Sequence, residues 1–479
     1  QAQRGQQRGA DPHGQRRGGR GGGGGAQRSP ERAHRDPARP QRVSGRGATV
    51  LPSICVVTRP GRAGSLVNTR QSSLPTGRAR LHIDAGAPSL KLIHDEGRDA
   101  MVTVAVTPEA PEEPRVAISP ETVRKLVALG AKVRIASGSG ARSRFSDETY
   151  KAQGAEIVPS AAEAVAGADI LLKVRRPSVE EVRGLTSGGM AIAMLSPTDD
   201  RPGLDALAQT GTTLFSMEFM PRITRAQSMD VLSSQANLAG YKAVVNAAAM
   251  FEQAVPMMMT AAGTVPAAKA FIMGVGVAGL QAIATARRLG AIVSATDVRP
   301  ATKEQVASLG AKFVAVEDEE FKQAQTAAGY AKPMSEAYQQ KQAELVAAHI
   351  KAQDIVITTA LIPGRPAPRL ITRAMVESMK PGAVIIDLAA ERGGNCELTK
   401  PGEIVEHNGV RIDGTLNLAG QVPVNASSLY AKNLLTFLEL MIDKKEKTLK
   451  VDWEDDVIKG TLVAKGGQVV HPSLQPKGA

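Results

Sequence analysis

The sequence predicts an α/β chain. Its sheets should be parallel, with helices on both faces, in two folded domains behind a long N-terminal extension. Three observations carry this. From Met101 onward, short apolar runs alternate with helix-compatible segments, the pattern of βα repeats. One repeat, Lys269–Pro300, reads KAFIMGVGVAGLQAIATARRLGAIVSATDVRP and places G-x-G-x-x-G between two apolar runs. Residues 1–100 show no such alternation and are dominated by Arg, Gly, Gln, Pro and Ser.

The 479 residues suit two to four domains. Of 59 bases and 47 acids, residues 1–100 hold 18 and 7, leaving 41 and 40 for the remainder. The folded part is therefore nearly neutral and lacks a nucleic-acid footprint. The extension cannot bury enough apolar surface to offset its ordering entropy and is expected to be disordered. An RNA-binding arginine-glycine tail, a transit peptide and translated upstream sequence are the three readings of it. No aromatic residue lies in residues 1–100, so base stacking is poorly served. An apolar strand starting at Val102 favours a true start at Met101, with residues 1–100 outside the native protein. Two distant cysteines, Cys55 and Cys396, exclude a disulfide framework and a Cys-rich metal site, and read as unpaired thiols. The charge-free stretches Gln253–Ala268 and Ala270–Ala286 carry Pro or Gly and fall short of the roughly 18 apolar residues of a membrane span.

In order, Val102–Val106 reads as the first strand. Ser119-Pro120-Glu121 supplies a cap, a proline at the first helical position and an acid, so a helix should run to about Leu129 and stop at Gly130. Strands are expected at Val133–Ala136, Ile170–Val174, Ala191–Leu195 and Thr213–Phe215. Ser228–Phe251 lacks Pro and should be a connecting helix into the second domain. After the fingerprint come a helix near Thr302–Leu309 and strands at Phe313–Val316, Ile355–Thr359 and Val384–Leu388. Glu317–Pro333 reads as a long polar loop, functional or a plain surface insertion. Ser427–Met441 should be an apolar helix. Thr448–Val451 and Thr461–Val463 should be short strands, and Lys465-Gly466-Gly467 a turn, in a tail that packs back on the first domain or forms an interface.

The fingerprint carries the chemistry. Gly274 permits a tight turn, Gly276 lets a pyrophosphate approach the backbone, and Gly279 lets the helix pack against the strand. The helix N-terminus offers free N–H groups and partial positive charge. Asp297 follows Gly279 by eighteen residues, about the spacing of an acid on a ribose 2′-hydroxyl. A carboxylate there repels a 2′-phosphate and favours NAD(H) over NADP(H), although Arg299 beside it could pair with such a phosphate.

Four stretches carry a resemblance: PRITRAQSMDVLSSQANLAGY from Pro221, PMMMTAAGTVPAAKAFIMGVGVAGLQAIATARRLGA from Pro256, ATDVRPATKEQVASLGAKF and TTALIPGRPAPRLIT. From about Met101 to Ala479 the chain closely resembles the NAD(H)-binding alpha subunit of proton-translocating NAD(P) transhydrogenase. The resemblance implies two Rossmann-like domains, related to alanine dehydrogenase, with the nucleotide in the cleft between them. It implies domains at 101–232 with 420–479, and at 233–419. It implies direct hydride transfer from NADH to NADP⁺ held by a separate subunit, coupled to proton movement by membrane-spanning subunits. A homodimer on the cytoplasmic face of the bacterial inner membrane is implied too.

By the same resemblance Arg222, Gln227, Asp230 and Ser233 orient the nicotinamide carboxamide and its ribose, in a cofactor-contacting loop that includes Ile223, Thr224 and Arg225. Judged by spacing alone, that loop is a capped helix start with solvated charges. Gly274, Gly276, Val277, Ala278 and Gly279 hold the pyrophosphate, and Asp297, Val298 and Arg299 surround the adenosine ribose. Gly329, Gln342 and Leu361 line the site, and Tyr330 sits on a mobile lid.

Alanine dehydrogenase is the rival reading. Its chemistry uses a Lys and a His. Lys173, in LLKVRRP, matches the Lys, but no His occurs from Asp95 to Ala348, and Met194-Leu195 stand about where it belongs. Without such an acid–base group, substrate oxidation is implausible. A non-catalytic NAD-binding module is the other alternative, since neither it nor a transhydrogenase subunit needs catalytic side chains.

Overall fold

The computed structural model describes residues 101–324, 334–362 and 364–475. The extension and the predicted lid at Gly329-Tyr330 lie outside the described residues. Two large sheets organise the chain. The first contains β1 (Thr103–Val106), β2 (Lys132–Ala136), β3 (Glu156–Val158), β4 (Ile170–Leu172), β5 (Met190–Ala193) and β6 (Thr213–Ser216). Next comes an exposed hairpin, β7 (Met258–Thr260) and β8 (Gly263–Val265). The second large sheet contains β9 (Lys269–Met273), β10 (Ile292–Thr296), β11 (Lys312–Phe313), β12 (Ile355–Thr358), β13 (Val384–Asp387), β14 (Ile404–His407) and β15 (Val410–Asp413). Last come β16 (Leu462–Lys465) and β17 (Gln468–Val469).

The first sheet has the order β17-β16-β6-β5-β4-β1-β2-β3 and the second β11-β10-β9-β12-β13-β15-β14. Strands β1 to β6 pair in parallel, as do β9 to β13 and β15. Both sheets therefore have the doubly wound order 3-2-1-4-5-6, reversing between β1 and β4 and between β9 and β12. Ligands of such sheets bind beyond the carboxyl ends of the strands at the reversal. The central strands β4, β5, β12 and β13 are buried throughout, which is why they read as continuous apolar runs.

Local chemistry sets the boundaries. Ser119 caps the helix Pro120–Ala128 in a capping box with Thr122, and Gly130, at φ +90°, ends it in the left-handed region. The tail joins the first sheet: β16 runs antiparallel to β6 and β17 to β16. Three expectations are corrected. Residues 448–451 form no strand, only a single bridge from Leu449 to Ile442. The supposed loop from Glu317 contains a helical turn at Glu319–Lys322, started by Asp318, whose side chain accepts from Phe321 N. The connecting helix begins at Val231, because Thr224–Met229 is wound as a 3₁₀ stretch. The sequence reading also misses β3, the β14–β15 hairpin, the exposed β7–β8 hairpin and, among the helices, Glu336–Ile350.

Helix Val231–Met250 links the two lobes. A Cβ on its Gly240 would lie 2.1 Å from the Ala278 carbonyl oxygen, so only glycine lets it cross the fingerprint helix, Val277–Arg288, this closely. Loops beyond the strand ends of the two sheets also meet. Arg392, after β13, pairs with Asp199, after β5, at 2.6 Å. Asn417, after β15, donates to Glu113 Oε2 at 3.1 Å.

Candidate functional site

The glycine turn is built as its spacing predicts. Gly274 follows β9 at φ +101°, and a Cβ there would crowd Thr359 Oγ1 at 2.6 Å. A Cβ on Gly279 would lie 1.9 Å from the Gly274 carbonyl oxygen, inside the turn. At Gly276 an added Cβ would meet no protein atom within 4 Å. Two glycines are thus required by the protein's own packing, and the third leaves space beside a helix start. Val277, at 39 % exposure, opens that helix and Ala278 follows, so the first-turn N–H groups adjoin the space. This cradle fits a pyrophosphate.

The rim comes from neighbouring strands. Val298 and Leu361 are exposed apolar side chains. Gln342 ties the helix Glu336–Ile350 to the sheet: its Oε1 accepts from Val316 N at 2.9 Å and its Nε2 donates to Thr296 Oγ1 at 3.1 Å. Asn395, fully buried and not anticipated from sequence, fixes the loop carrying Leu361. Its Oδ1 accepts from Ala360 N at 3.0 Å, and its Nδ2 donates to Ala360 O and Pro368 O at 2.9 and 2.8 Å. Its adjacency to two glycines in RGGNCE was the signal available. Beside it, Cys396 is a buried free thiol whose pKa burial pushes up.

Asp297 departs from the simple expectation. Its side chain is 7 % exposed and accepts four hydrogen bonds. Val275 N donates at 2.8 Å, Arg299 N at 2.9 Å, and Arg299 Nε and Nη2 at 2.8 and 2.9 Å. Arg299 Nη2 also donates to Val275 O at 3.1 Å. The carboxylate therefore braces the glycine turn and neutralises Arg299. A ribose hydroxyl reaching it would share an oxygen already doubly engaged.

The loop at 222–230 lies between β6 and the connecting helix. Ala226 and Met229 point into the first core, while Arg222, Ile223, Thr224, Arg225 and Gln227 are exposed. Asp230 is the N-cap: Oδ1 accepts from Ser233 N at 3.0 Å and Oδ2 from Ser233 Oγ at 2.5 Å. Two of the four expected orienting residues thus already form the helix cap. Arg225 makes a bidentate pair with Asp455 at 2.8 and 2.9 Å, which ties the loop to the C-terminal segment. From Asp230 to Gly240 runs about 15 Å of helix, so the loop and the glycine turn are spaced for an extended ligand.

The reversal point of the first sheet is closed instead. Lys173, 4 % exposed, donates to Pro108 O at 2.6 Å and lies 3.2 Å from Glu181 and 3.7 Å from Glu109. Burial pushes the Glu109 carboxyl up, against Lys173 and two backbone donors. Burial also pushes Glu113 up, but the hydrogen bonds and charge of Arg115, with Arg175, prevail and hold it at about 2. Met194 and Leu195, where the rival chemistry requires a histidine, are buried and apolar.

Residues 105–239 match the family model described as alanine dehydrogenase/PNT, N-terminal domain, and residues 243–472 match its C-terminal domain. The chain is 54 % identical over 374 residues to an NAD(P) transhydrogenase alpha-subunit protein of Rhodospirillum rubrum, covering 77 % of this chain and 97 % of that protein. It is 31 % identical over 325 residues to an alanine dehydrogenase of Mycobacterium tuberculosis, covering 66 % and 80 %. The crystal structure of transhydrogenase from Sinorhizobium meliloti superposes with a TM-score of 0.70 at 57 % identity, covering 77 % of this chain and all of that one. With its paired doubly wound sheets and glycine turn, the chain belongs to the alanine dehydrogenase/PNT family, among the NAD(P) transhydrogenase alpha subunits.

Proposed function

We propose that this chain is the NAD(H)-binding subunit of a proton-translocating transhydrogenase, acting by direct hydride transfer to NADP⁺ on a partner subunit. The observation that carries this reading is the contrast at the two reversal points. One is an open glycine cradle with an exposed loop about 15 Å away along a helix. The other, where an amino or keto acid would need an acid–base pair, is filled by Lys173 and its carboxylates and bordered by Met194 and Leu195. NADH, when bound, supplies the hydride. The chain's task is then to orient and to exclude water, for which no proton donor is needed.

In this reading the N–H groups at Val277, Ala278 and Gly279 hold the pyrophosphate. Val298, Arg299 and the Asp297 brace form the adenosine end, while Gln342 and Leu361 border the site. Arg222, Ile223, Thr224, Arg225, Gln227, Asp230 and Ser233 direct the nicotinamide. We take 101–232 with 420–479, and 233–419, as the domains. No helix among the described residues is long and apolar enough to cross a membrane. By the family resemblance we assign proton movement to membrane-spanning partner subunits and take this chain as a homodimer on their cytoplasmic face.

The test is stopped-flow transfer of a labelled hydride with a purified NADP⁺-holding partner. Alone, the chain should bind NADH and transfer little. With the partner, label should pass directly to NADP⁺. Label lost to solvent, or none transferred, would sink the proposal. Arg222→Ala and Gln227→Ala should slow transfer more than they weaken NADH binding, since a displacement of about 1 Å can cost on the order of a hundredfold.

A further inference from the structure

The loop at 222–229 and the start of the connecting helix are joined by a residue about two hundred positions away. Asn433 lies on the helix Pro423–Leu438 and is 7 % exposed. Its Nδ2 donates to the Ser228 carbonyl oxygen at 2.7 Å, and its Oδ1 accepts from Ser234 Oγ at 2.8 Å. Ser228 belongs to the 3₁₀ stretch and Ser234 to the first turn of the long helix. The N-cap Asp230 stands between them, so one planar amide spans the bend on which the exposed loop residues sit. The orientation of that amide is not arbitrary. The Ser228 carbonyl only accepts, so the nitrogen must face it.

We propose that Asn433 is a positioning residue for hydride transfer. It fixes the angle between the loop and the helix, and so the placement of Arg222 and Gln227 relative to the glycine turn. This rests on the functional reading above. At the bend the regular winding of the backbone is interrupted. The 3₁₀ stretch ends at Met229, the α-helix begins at Val231, and Asp230 between them is extended at φ −73°, ψ 94°. Both hydrogen bonds of the Asn433 amide end on the two sides of the bend, so its effect passes through backbone placement.

The experiment uses the full chain with its NADP⁺-holding partner, measuring labelled-hydride transfer and, separately, NADH affinity. Asn433→Leu keeps the shape and removes both hydrogen bonds. Transfer should slow by about tenfold or more while the NADH dissociation constant stays within about threefold, because misplacement taxes the reacting geometry first. Asn433→Asp keeps the acceptor for Ser234 but sets a carboxylate against the Ser228 carbonyl. Relative to wild type its transfer rate should be low at neutral pH and recover as the pH falls, since a protonated carboxyl again donates to that carbonyl. Ser427→Ala is the stability control. It lies on the same helix and contacts Val116 N and Ser143 Oγ, away from the loop. It should lower the melting temperature and leave transfer at the wild-type rate. A wild-type chain that transfers no hydride overturns the functional reading. An active wild type with Asn433→Leu equally fast, or losing NADH affinity in step with rate, overturns this inference. If Asn433→Leu does not fold, an Asn433→Asp rate that follows wild type at every pH overturns it as well.

Discussion

The two lobes share a strand order but end their first strands differently. In the second lobe β9 runs into Gly274, and the missing side chain at Gly276 leaves space at the reversal between β9 and β12. In the first lobe β1 runs into Thr107-Pro108-Glu109, and the reversal between β1 and β4 is filled. Lys173 donates to the Thr107 hydroxyl and the Pro108 carbonyl, and Glu109 accepts from Val174 N at 2.7 Å. The same topology thus yields an open cradle in one lobe and a closed ionic knot in the other. What separates them is the presence of side chains at the strand ends, not the architecture.

The largest expected effect breaks the knot. Lys173→Met leaves Glu109 and Glu181 without their buried cation and should cost roughly 3–5 kcal/mol in denaturant unfolding. NADH affinity of the folded fraction should change less than about twofold, since the sites are separate. A large loss of affinity would show that the lobes do not divide the labour in this way.

Acid sharpens the same contrast. Glu113 is held at about 2 against an unperturbed value of 4.5. Its folded value is depressed, so its stabilisation is present above pH 4.5 and lost as pH falls toward 2. The loss is at most roughly 3 kcal/mol. Glu109 is raised, so its own contribution runs the other way. Urea midpoints between pH 5 and 3 should fall less steeply in Glu113→Gln than in wild type, and parallel slopes would refute the assignment.

In the cradle the three glycines should separate. Gly279→Ala puts a methyl 1.9 Å from a carbonyl oxygen and should destabilise by about 1–3 kcal/mol. Gly276→Ala meets no protein atom, so its melting temperature should hold while NADH affinity falls about tenfold, or 1.4 kcal/mol. Equal melting losses for both would mean that Gly276 serves the fold rather than a ligand. The smallest effect is at Asp297. Asp297→Ala frees Arg299, so NADH affinity should drop by about 1 kcal/mol and discrimination against NADPH should narrow. Unchanged discrimination in parallel titrations would remove Asp297 from cofactor choice.

The sequence by itself determined the parallel α/β class, the glycine turn, the capped helix at Ser119 and the apolar central strands. These are local: a turn needs its glycines, a cap its hydroxyl, and a strand buried on both faces a continuous apolar run. Spacing also singled out Asp297, and resemblance the loop from Arg222, as expected cofactor contacts. The sequence missed β3 and the β14–β15 hairpin, where strand Glu156–Val158 has no fully buried residue and Ile404–His407 alternates exposed and half-buried positions, with apolar Ile404 exposed. Tertiary structure alone decided how the site residues are used. Asp297 became a brace because Val275 and Arg299 folded onto it. Arg225 was taken by Asp455, 230 residues away. Asn395 and Asn433 gained their hydrogen-bond partners from loops that chain order does not bring near them. Partners at such separations are fixed by which elements pack together, and no local pattern of residues encodes that.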